Sequence, residues 1–150
     1  IGGSGWTFKM TAKGYIIREN HFENKDSITC ITGLTDGSIL LGGLRDSTRR
    51  MLVKFDSNGR KVWERIHDNP ESTVLKSIQP VSNSGYLGYL TSPGREMLVY
   101  YGLNGDEQHH VPIPHNLKIS SYLMDVRGNL MIQMTAGGNM ILIKNTGSDL

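Results

Sequence analysis

The chain has 150 residues, with 16 Lys or Arg against 14 Asp or Glu, 18 glycines and a single cysteine. This near balance of charge makes the chain a poor candidate for non-specific nucleic-acid binding, which needs a basic face. No apolar run approaches the roughly 20 residues of a membrane span. The lone Cys30 excludes an internal disulfide and a multi-cysteine zinc site. We expect it to pack within a strand.

The predicted elements are strands throughout. β-branched, aliphatic and aromatic residues fill them, and clusters of Gly, Asp, Asn and Pro separate them. Pro112 removes a backbone donor from its strand, which predicts an edge strand. In chain order the predicted strands are Trp6–Met10, Tyr15–Arg18, Ile28–Gly33, Ser38–Leu44, Arg50–Phe55, Lys61–Ile66, Thr73–Val81, Gly85–Leu90, Met97–Leu103, Glu107–Ile113, Leu117–Asp125, Asn129–Thr135 and Met140–Ile143.

One stretch of the chain defines a repeat. Met51–Phe55, the turn Asp56-Ser57-Asn58-Gly59 and Val62-Trp63 form a hairpin signature, because Asp and Asn tolerate left-handed geometry and Gly takes positive φ freely. Copies of its first strand begin at residues 6, 97 and 140, so the spacings are 45, 46 and 43 residues. A second landmark, a glycine turn followed by apolar residues, recurs at Gly37, Gly85 and Gly128.

This period, with four short strands in each repeat, predicts an all-β chain of β-propeller blades. We expect one β-repeat domain over residues 1–150, with a partial blade in 1–26, complete blades in 27–72 and 73–116, and an incomplete blade in 117–150. Trp63 is expected to pack between blades. The alternative fold is a β-trefoil, which also has three repeats of similar length.

The ends of the chain suggest an incomplete ring. The repeats contain two, four, four and three predicted strands, which leaves unpaired edges. The chain begins at Ile1 without a signal-peptide pattern, so we expect it to be processed or cut from a longer protein. We therefore expect either the remainder of a longer propeller or self-association of two chains into six or seven blades.

Residues 35–63 carry a resemblance to a known family. Thr35–Gly42, Met51–Gly59 and Val62-Trp63 resemble the blades of bacterial secreted or cell-surface β-propellers, with an Asp-Gly turn, a Leu-Val-Lys strand and an Asn-Gly turn before Trp. The resemblance implies a propeller fold in an extracytoplasmic (secreted, periplasmic or cell-surface) protein. The sequence lacks the WD dipeptide, the quinoprotein tryptophan motif and the Asp-box spacing, which weakens the enzyme interpretations that those families bring.

Histidines and aspartates are the candidate metal ligands. His109, His110 and His115 offer imidazoles that suit zinc or copper, but adjacent strand residues point to opposite faces, so His109 and His110 cannot readily share a metal. A polar edge loop is favoured. Asp56-Ser57-Asn58-Gly59 lacks the later Glu and the spacing of a calcium loop. A plain turn is favoured there and at Asp36, Asp106 and Asp125.

Five tyrosines offer either an aromatic sugar-binding face or packing between blades, and packing is favoured. They are Tyr86, Tyr89, Tyr100, Tyr101 and Tyr122. The lead Gly2-Gly3-Ser4-Gly5 is not a phosphate loop, since no Lys follows it and no strand precedes it. No Ser, His and Asp lie in a recognisable catalytic setting. We predict no catalytic, cofactor-binding or metal-binding residues and no cofactor.

These features favour a non-enzymatic interaction module that presents loops to a protein or glycan partner. Two alternatives remain open. One is a lectin-like carbohydrate-binding protein that uses the tyrosines, and the other is a propeller hydrolase or lactonase with an axial metal.

Overall fold

The structure is a computed structural model that describes residues 6–10, 12–21, 25–69, 71–81, 84–125, 129–137 and 139–145. The glycine-rich lead, residues 2–5, lies outside these ranges. Within them the chain is all-β, with thirteen strands and no helix. The strands are β1 (Trp6–Met10), β2 (Ile16–His21), β3 (Ser27–Gly33), β4 (Ile39–Arg45), β5 (Arg49–Phe55), β6 (Lys61–His67), β7 (Val74–Val81), β8 (Gly85–Ser92), β9 (Arg95–Gly102), β10 (Glu107–Ile113), β11 (Lys118–Met124), β12 (Leu130–Ala136) and β13 (Asn139–Asn145).

Strands that are neighbours in sequence are neighbours in the sheets. β1 and β2 form a hairpin, β3 to β6 and β7 to β10 form two four-stranded sheets, and β11 to β13 form a three-stranded sheet. Each four-stranded sheet corresponds to one predicted repeat, and the predicted strand ends lie within three residues of the observed ones. Pro112 lies in β10, which is an edge strand as predicted.

The chain divides into two compact units, Ile1–Leu75 and Lys76–Leu150. The division falls inside β7, close to the predicted blade limit at residue 72. In the first unit, buried residues of β4 and β5 form a core cluster of Leu41, Met51, Val53 and Phe55. In the second unit, one cluster joins the four-stranded and three-stranded sheets, and its members are Val81, Leu87, Leu98, Ile119, Tyr122, Ile132 and Met134.

Three hairpin turns have the same backbone hydrogen bonds. In each, the first residue donates its N–H to the carbonyl four residues later, and the fourth residue, a glycine, donates back to the first. The three turns are Leu34–Ser38, Asp56–Arg60 and Gly102–Asp106, with N···O distances of 2.8 to 3.0 Å. Their glycines have φ between +74° and +85°, a conformation that costs other residues energy. This constraint accounts for the Asp-Gly and Asn-Gly landmarks.

The opposite end of each four-stranded sheet has connections that differ from one sheet to the next. The β4–β5 connection places Asp46 and Ser47 in left-handed geometry, with φ of +53° and +60°. The β8–β9 connection is the two-residue turn Pro93-Gly94, where Ser92 pairs with Arg95. This end also carries the segments that lead to the next sheet. The two described inner connections at this end, β4–β5 and β8–β9, therefore differ between the sheets, whereas three turns at the other end share one pattern.

The outermost strand of each four-stranded sheet contains a β-bulge at the same place in the repeat. Val62 is the extra residue in β6, and Gln108, 46 residues later, is the extra residue in β10. A polar pair spans each bulge. Lys61 Nζ lies 3.0 Å from Glu64 Oε2, and Glu107 Oε2 lies 3.1 Å from a His110 ring nitrogen.

Trp63 follows the first of these bulges and is half-buried on the outermost strand, opposite Lys54. Packing of this residue between blades therefore stays a prediction, and within the described residues its side chain is half-buried. A bulge shifts the alternation of side chains along a strand, so a pattern that ignores the bulge assigns the residues beyond it to the wrong face.

Each four-stranded sheet binds the segment that follows it through one side chain at the start of its third strand. Arg50 donates to Thr73 Oγ at 3.0 Å and to the Asp68 carbonyl at 3.3 Å. Glu96, 46 residues after Arg50, accepts the N–H of Ile119 at 2.9 Å. Because 46 residues also separate Thr73 from Ile119, these are equivalent contacts made by opposite charges. We call each one the inter-repeat tie.

The close approach of β3 to β4 depends on Gly43. A Cβ at this position would lie 2.0 Å from the backbone oxygen of Ser27. We expect Gly43→Ala to lower the free energy of unfolding by about 1–3 kcal/mol or more, because backbone cannot move aside as a side chain can. The control is Gly33→Ala in the same sheet, where a Cβ meets nothing within 4 Å, and the expected change there is within about 0.5 kcal/mol. Equal urea midpoints for the two variants would contradict the close approach.

The inter-repeat tie at Glu96 gives a second prediction. Ile119 is 8 % exposed, so Glu96→Ala leaves a buried N–H without its acceptor, at a cost of about 1–3 kcal/mol. Glu96→Gln keeps an acceptor oxygen and should retain most of the stability. Urea unfolding of both variants measures the difference. If the Gln variant loses as much as the Ala variant, the charge of Glu96 rather than its bond to Ile119 is what matters.

Candidate functional site

The five tyrosines do not form an aromatic surface. Tyr86, Tyr101 and Tyr122 are buried, while Tyr89 and Tyr100 are partly buried against the second-unit cluster. Tyr86 and Tyr101 are cross-strand partners, and strand alternation places them on the opposite face of the sheet from Tyr89 and Tyr100. Burial of three of the five tyrosines supports packing over an aromatic sugar-binding face.

The hydroxyl of Tyr122 is used inside the second unit. It accepts a hydrogen bond from Ser77 Oγ at 3.0 Å and donates to the Leu87 carbonyl at 3.1 Å. The ring also meets Tyr89 edge-on, with centroids 6.3 Å apart. This tyrosine joins the sheets of its unit and is not available to stack on a sugar.

The three histidines lie in separate settings. His109 is exposed on β10, His110 contacts Glu107, and His115 hydrogen-bonds to the Gly94 carbonyl at 2.9 Å. Among the described residues no group of three or more His, Cys, Asp or Glu side chains is placed to hold a metal ion. The structure does not bring these three candidate ligands together.

The turn aspartates accept hydrogen bonds from their own turns. Asp56 Oδ1 accepts the N–H of Arg60 at 2.8 Å, and Asp125 Oδ1 accepts that of Asn129 at 2.9 Å. The hydrogen bonds from Ser38, its hydroxyl first and its N–H second, hold the pKa of Asp36 below its usual value. These contacts are what a plain turn requires, and they support that interpretation over a calcium loop.

The first unit contains a charged network that sequence reasoning missed. Arg45 Nε lies 2.9 Å from Asp26 Oδ2, and its guanidinium also contacts Glu64. Asp26 is 2 % exposed and accepts a second hydrogen bond from the Asp46 N–H at 3.3 Å. Both carboxylates face one guanidinium, so the charges are paired inside the sheet. We interpret this network as structural.

A polar cleft lies at the variable end of the second unit. Two connections form it: the Pro93-Gly94 turn between β8 and β9, and the segment from Ile113 to Lys118 between β10 and β11. Pro presets φ at its turn position and Gly94 has φ of +77°, which is the chemistry of a tight turn. The hydrogen bond from His115 to Gly94 joins the two connections. The cleft has a volume of about 220 Å³ and is lined by Ser92, Gly94, Arg95, Glu96, Ile113, Pro114, His115, Leu117 and Lys118.

The hydrogen bond of His115 defines what its ring presents to the cleft. A carbonyl oxygen only accepts, so Nδ1 of His115 carries the proton that is donated to Gly94. In the neutral ring Nε2 is then an acceptor.

Glu96 forms the charged floor of the cleft, and its carboxylate accepts the N–H of Ile119 at 2.9 Å. Burial first, and then hydrogen bonding to Glu96 and the charge of that carboxylate, raise the pKa of Tyr89 far above the usual tyrosine value. Tyr89 therefore stays protonated beside this carboxylate.

Around this floor the cleft carries two cationic groups, Arg95 and Lys118, against the single carboxylate of Glu96. Its local charge therefore favours an anion over a cation. Sequence reasoning singled out only His115 among these residues. The available signal was the charged pair Arg95-Glu96 directly after a Pro-Gly turn, since exposed turns beside rigid strands often carry function.

Cys30 lies in β3. Burial raises the pKa of its thiol to about 11, although hydrogen bonds with Thr29 and Gly42 act to lower this pKa. At pH 8 about one part in a thousand of such a thiol is thiolate, against about one in ten for a thiol with the ordinary pKa of 9.0. The thiolate is the reactive form. We expect iodoacetamide at pH 8 to alkylate the folded protein about 100-fold more slowly than the protein in urea. The chain has one cysteine, so mass spectrometry reports this site alone. Equal rates in the two states would show an accessible thiol of ordinary pKa.

Comparisons with known proteins support the fold and leave activity unassigned. No protein-family model matches the chain, and no curated protein matches it. A crystal structure of a protein of unknown function from Bacteroides caccae matches 99 % of this chain with a TM-score of 0.65 and 11 % sequence identity. The match covers 56 % of that chain, so this chain spans little more than half of the neighbour's length. Within its described part the chain has no helix of the length and apolarity that a membrane span requires.

Proposed function

We propose that this chain is a non-enzymatic β-propeller interaction module that presents the variable end of its sheets to a protein or glycan partner. The four sheets are blades, and further sheets complete the ring. They come from a longer polypeptide or from a second copy of the chain. The extracytoplasmic location implied by the family resemblance is part of this proposal.

The observation that carries the proposal is the contrast between the two ends of each four-stranded sheet. One end is closed by turns with repeated hydrogen bonds, and the other end carries connections that differ and form the polar cleft. Function in repeat folds is typically found where loops vary on a constant scaffold. The four-stranded meanders support blades over a β-trefoil, because a blade is four sequential antiparallel strands.

The contacts of the described residues favour this function over the two alternatives. Three of the tyrosines on which a lectin-like interpretation relied are buried, and Tyr122 uses its hydroxyl internally. The hydrolase interpretation needs a metal, and the described histidines contact Glu107 and Gly94 instead of one another. The exposed side chains of the cleft remain as the groups that a partner would meet.

The test is a binding screen with a matched pair of charge-reversal variants. The protein is applied to a glycan array and, in parallel, to a displayed peptide library. Any ligand found is then measured against Arg95→Glu/Lys118→Glu and against Arg49→Glu. Arg49 is the equivalent of Arg95, 46 residues earlier in the first unit, where it contacts Asp46 at 3.1 Å.

We expect the double variant to weaken binding at least about tenfold, because both cations of the cleft become repulsive toward an anionic partner. Arg49→Glu should bind as the unchanged protein does. Melting temperatures of all variants establish that they are folded. Turnover of an array ligand would contradict a non-enzymatic module, and equal loss in both variants would place the interface elsewhere.

A further inference from the structure

We infer that Asn104 is a deamidation site that the folded turn protects, and that Asp106 is the residue that protects it. Two of the three equivalent hairpin turns contain an Asn-Gly pair, Asn58-Gly59 and Asn104-Gly105. This dipeptide is open to deamidation because glycine has no side chain to hinder an attack by its own nitrogen. Both asparagines are exposed, so water reaches each of them. The inference is independent of the proposed function.

Deamidation begins with an attack by the glycine backbone nitrogen on the side-chain carbonyl carbon of the asparagine. A bond forms between Gly105 N and Asn104 Cγ, and the bond between Cγ and Nδ2 breaks. Nδ2 leaves as ammonia and carries the proton that Gly105 N gives up. Water then opens the resulting five-membered ring at either carbonyl, which gives aspartate or isoaspartate. The attack therefore needs a glycine nitrogen that can lose its proton and an asparagine side chain that can turn toward it.

Asp106 fixes the side chain of Asn104 at both of its polar atoms. Asn104 Nδ2 donates to Asp106 Oδ2, and the Asp106 N–H donates to Asn104 Oδ1 at 3.3 Å. The first of these bonds is made to a carboxylate, and charge-assisted hydrogen bonds are the stronger kind. Asn104 Oδ1 also lies over Gly102, where a Cβ would be 3.0 Å from it. Rotation of the amide toward Gly105 N is therefore restricted while these contacts last.

The attacking nitrogen is held by the same turn. The Gly105 N–H donates to the Gly102 carbonyl at 2.8 Å, and Gly105 is buried. A buried and hydrogen-bonded N–H exchanges its proton with solvent only when the turn opens. Gly59 makes the equivalent bond to the Asp56 carbonyl at 2.8 Å, but Gly59 is only partly buried.

The equivalent turn of the first unit has a different residue in place of the protecting carboxylate. Arg60 lies 46 residues before Asp106, and a guanidinium has donors but no acceptor. It cannot accept an amide N–H from Asn58 as Asp106 does from Asn104. Asn58 also has contacts within the chain, so the two turns differ in the acceptor at this position and in the burial of the glycine. Asn58 is therefore an internal reference for Asn104.

The experiment follows both asparagines in one sample of the whole chain at pH 8, folded and in urea. Trypsin cuts after Lys and Arg, so Asn58 falls in the peptide 55–60 and Asn104 in the peptide 96–118. Mass spectrometry with fragmentation then measures the deamidated fraction at each site over time. We expect Asn104 in the folded protein to deamidate at least about tenfold more slowly than Asn58, because its bonds to a charged group must break first. In urea the two rates should agree within about twofold, since both turns are lost.

Variants assign the protection to Asp106. Asp106→Ala should raise the rate at Asn104 in the folded protein about tenfold, because it removes the carboxylate acceptor. Asp106→Asn keeps an acceptor oxygen and should retain most of the protection. Arg60→Ala is the matched control at the equivalent position and should change neither rate by more than about twofold. Melting temperatures establish that the variants are folded.

Three outcomes would overturn the inference. The first is equal rates at Asn58 and Asn104 in the folded protein. The second is an unchanged rate at Asn104 in Asp106→Ala. The third is a rate at Asn104 that rises to the urea value in both Asp106→Ala and Asp106→Asn, which would show that an opened turn, rather than a lost acceptor, exposes the site.

Discussion

The inter-repeat tie is the contact on which the candidate site depends. Glu96 lies at the start of β9 and accepts the N–H of Ile119 in β11, so it sets where the chain enters the three-stranded sheet. The same side chain is the floor of the cleft, and Lys118, which precedes Ile119, is part of its wall. The tie therefore stabilises the second unit and shapes the cleft at once.

Equivalent positions of the repeat keep a geometry while their chemistry changes. The tie is made by a cation at Arg50 and by an anion at Glu96. The pair across the bulge likewise changes its residues, from Lys61 and Glu64 to Glu107 and His110, so the carboxylate moves from the second position to the first. Two backbone features, the bulge and the start of the third strand, recur after 46 residues. Different polar side chains can make the contact at each of these features. The backbone geometry recurs while the side chains differ, and this explains why the copies of the repeat have only weak sequence similarity.

Most of the fold could be predicted because turns and strands are local. The Asp56 turn needs a glycine at positive φ, and that requirement is visible in the residues themselves. Trp63 and the tyrosines were harder. The bulge at Val62 changes which face Trp63 occupies, and no local pattern reports a bulge. Tyr86 and Tyr89 belong to a sheet whose residues are buried on both faces, so alternation alone cannot separate a packed aromatic from an exposed one.

The candidate site could be predicted only in small part, since it is made by contacts between distant segments. The sequence indicates His115 only as a candidate metal ligand, whereas in the structure its ring hydrogen-bonds to the carbonyl of Gly94, 21 residues earlier. Arg95, Glu96 and Lys118 look like ordinary surface charges until the turn and the inter-repeat segment come together. The hydrogen bond from His115 to the Gly94 carbonyl and the bond that Glu96 accepts from Ile119 hold these segments together, so the cleft is preorganised. Such preorganisation belongs to the connections that vary between sheets, because the uniform turns at the other end direct their polar groups to their own backbone and leave fewer for a ligand.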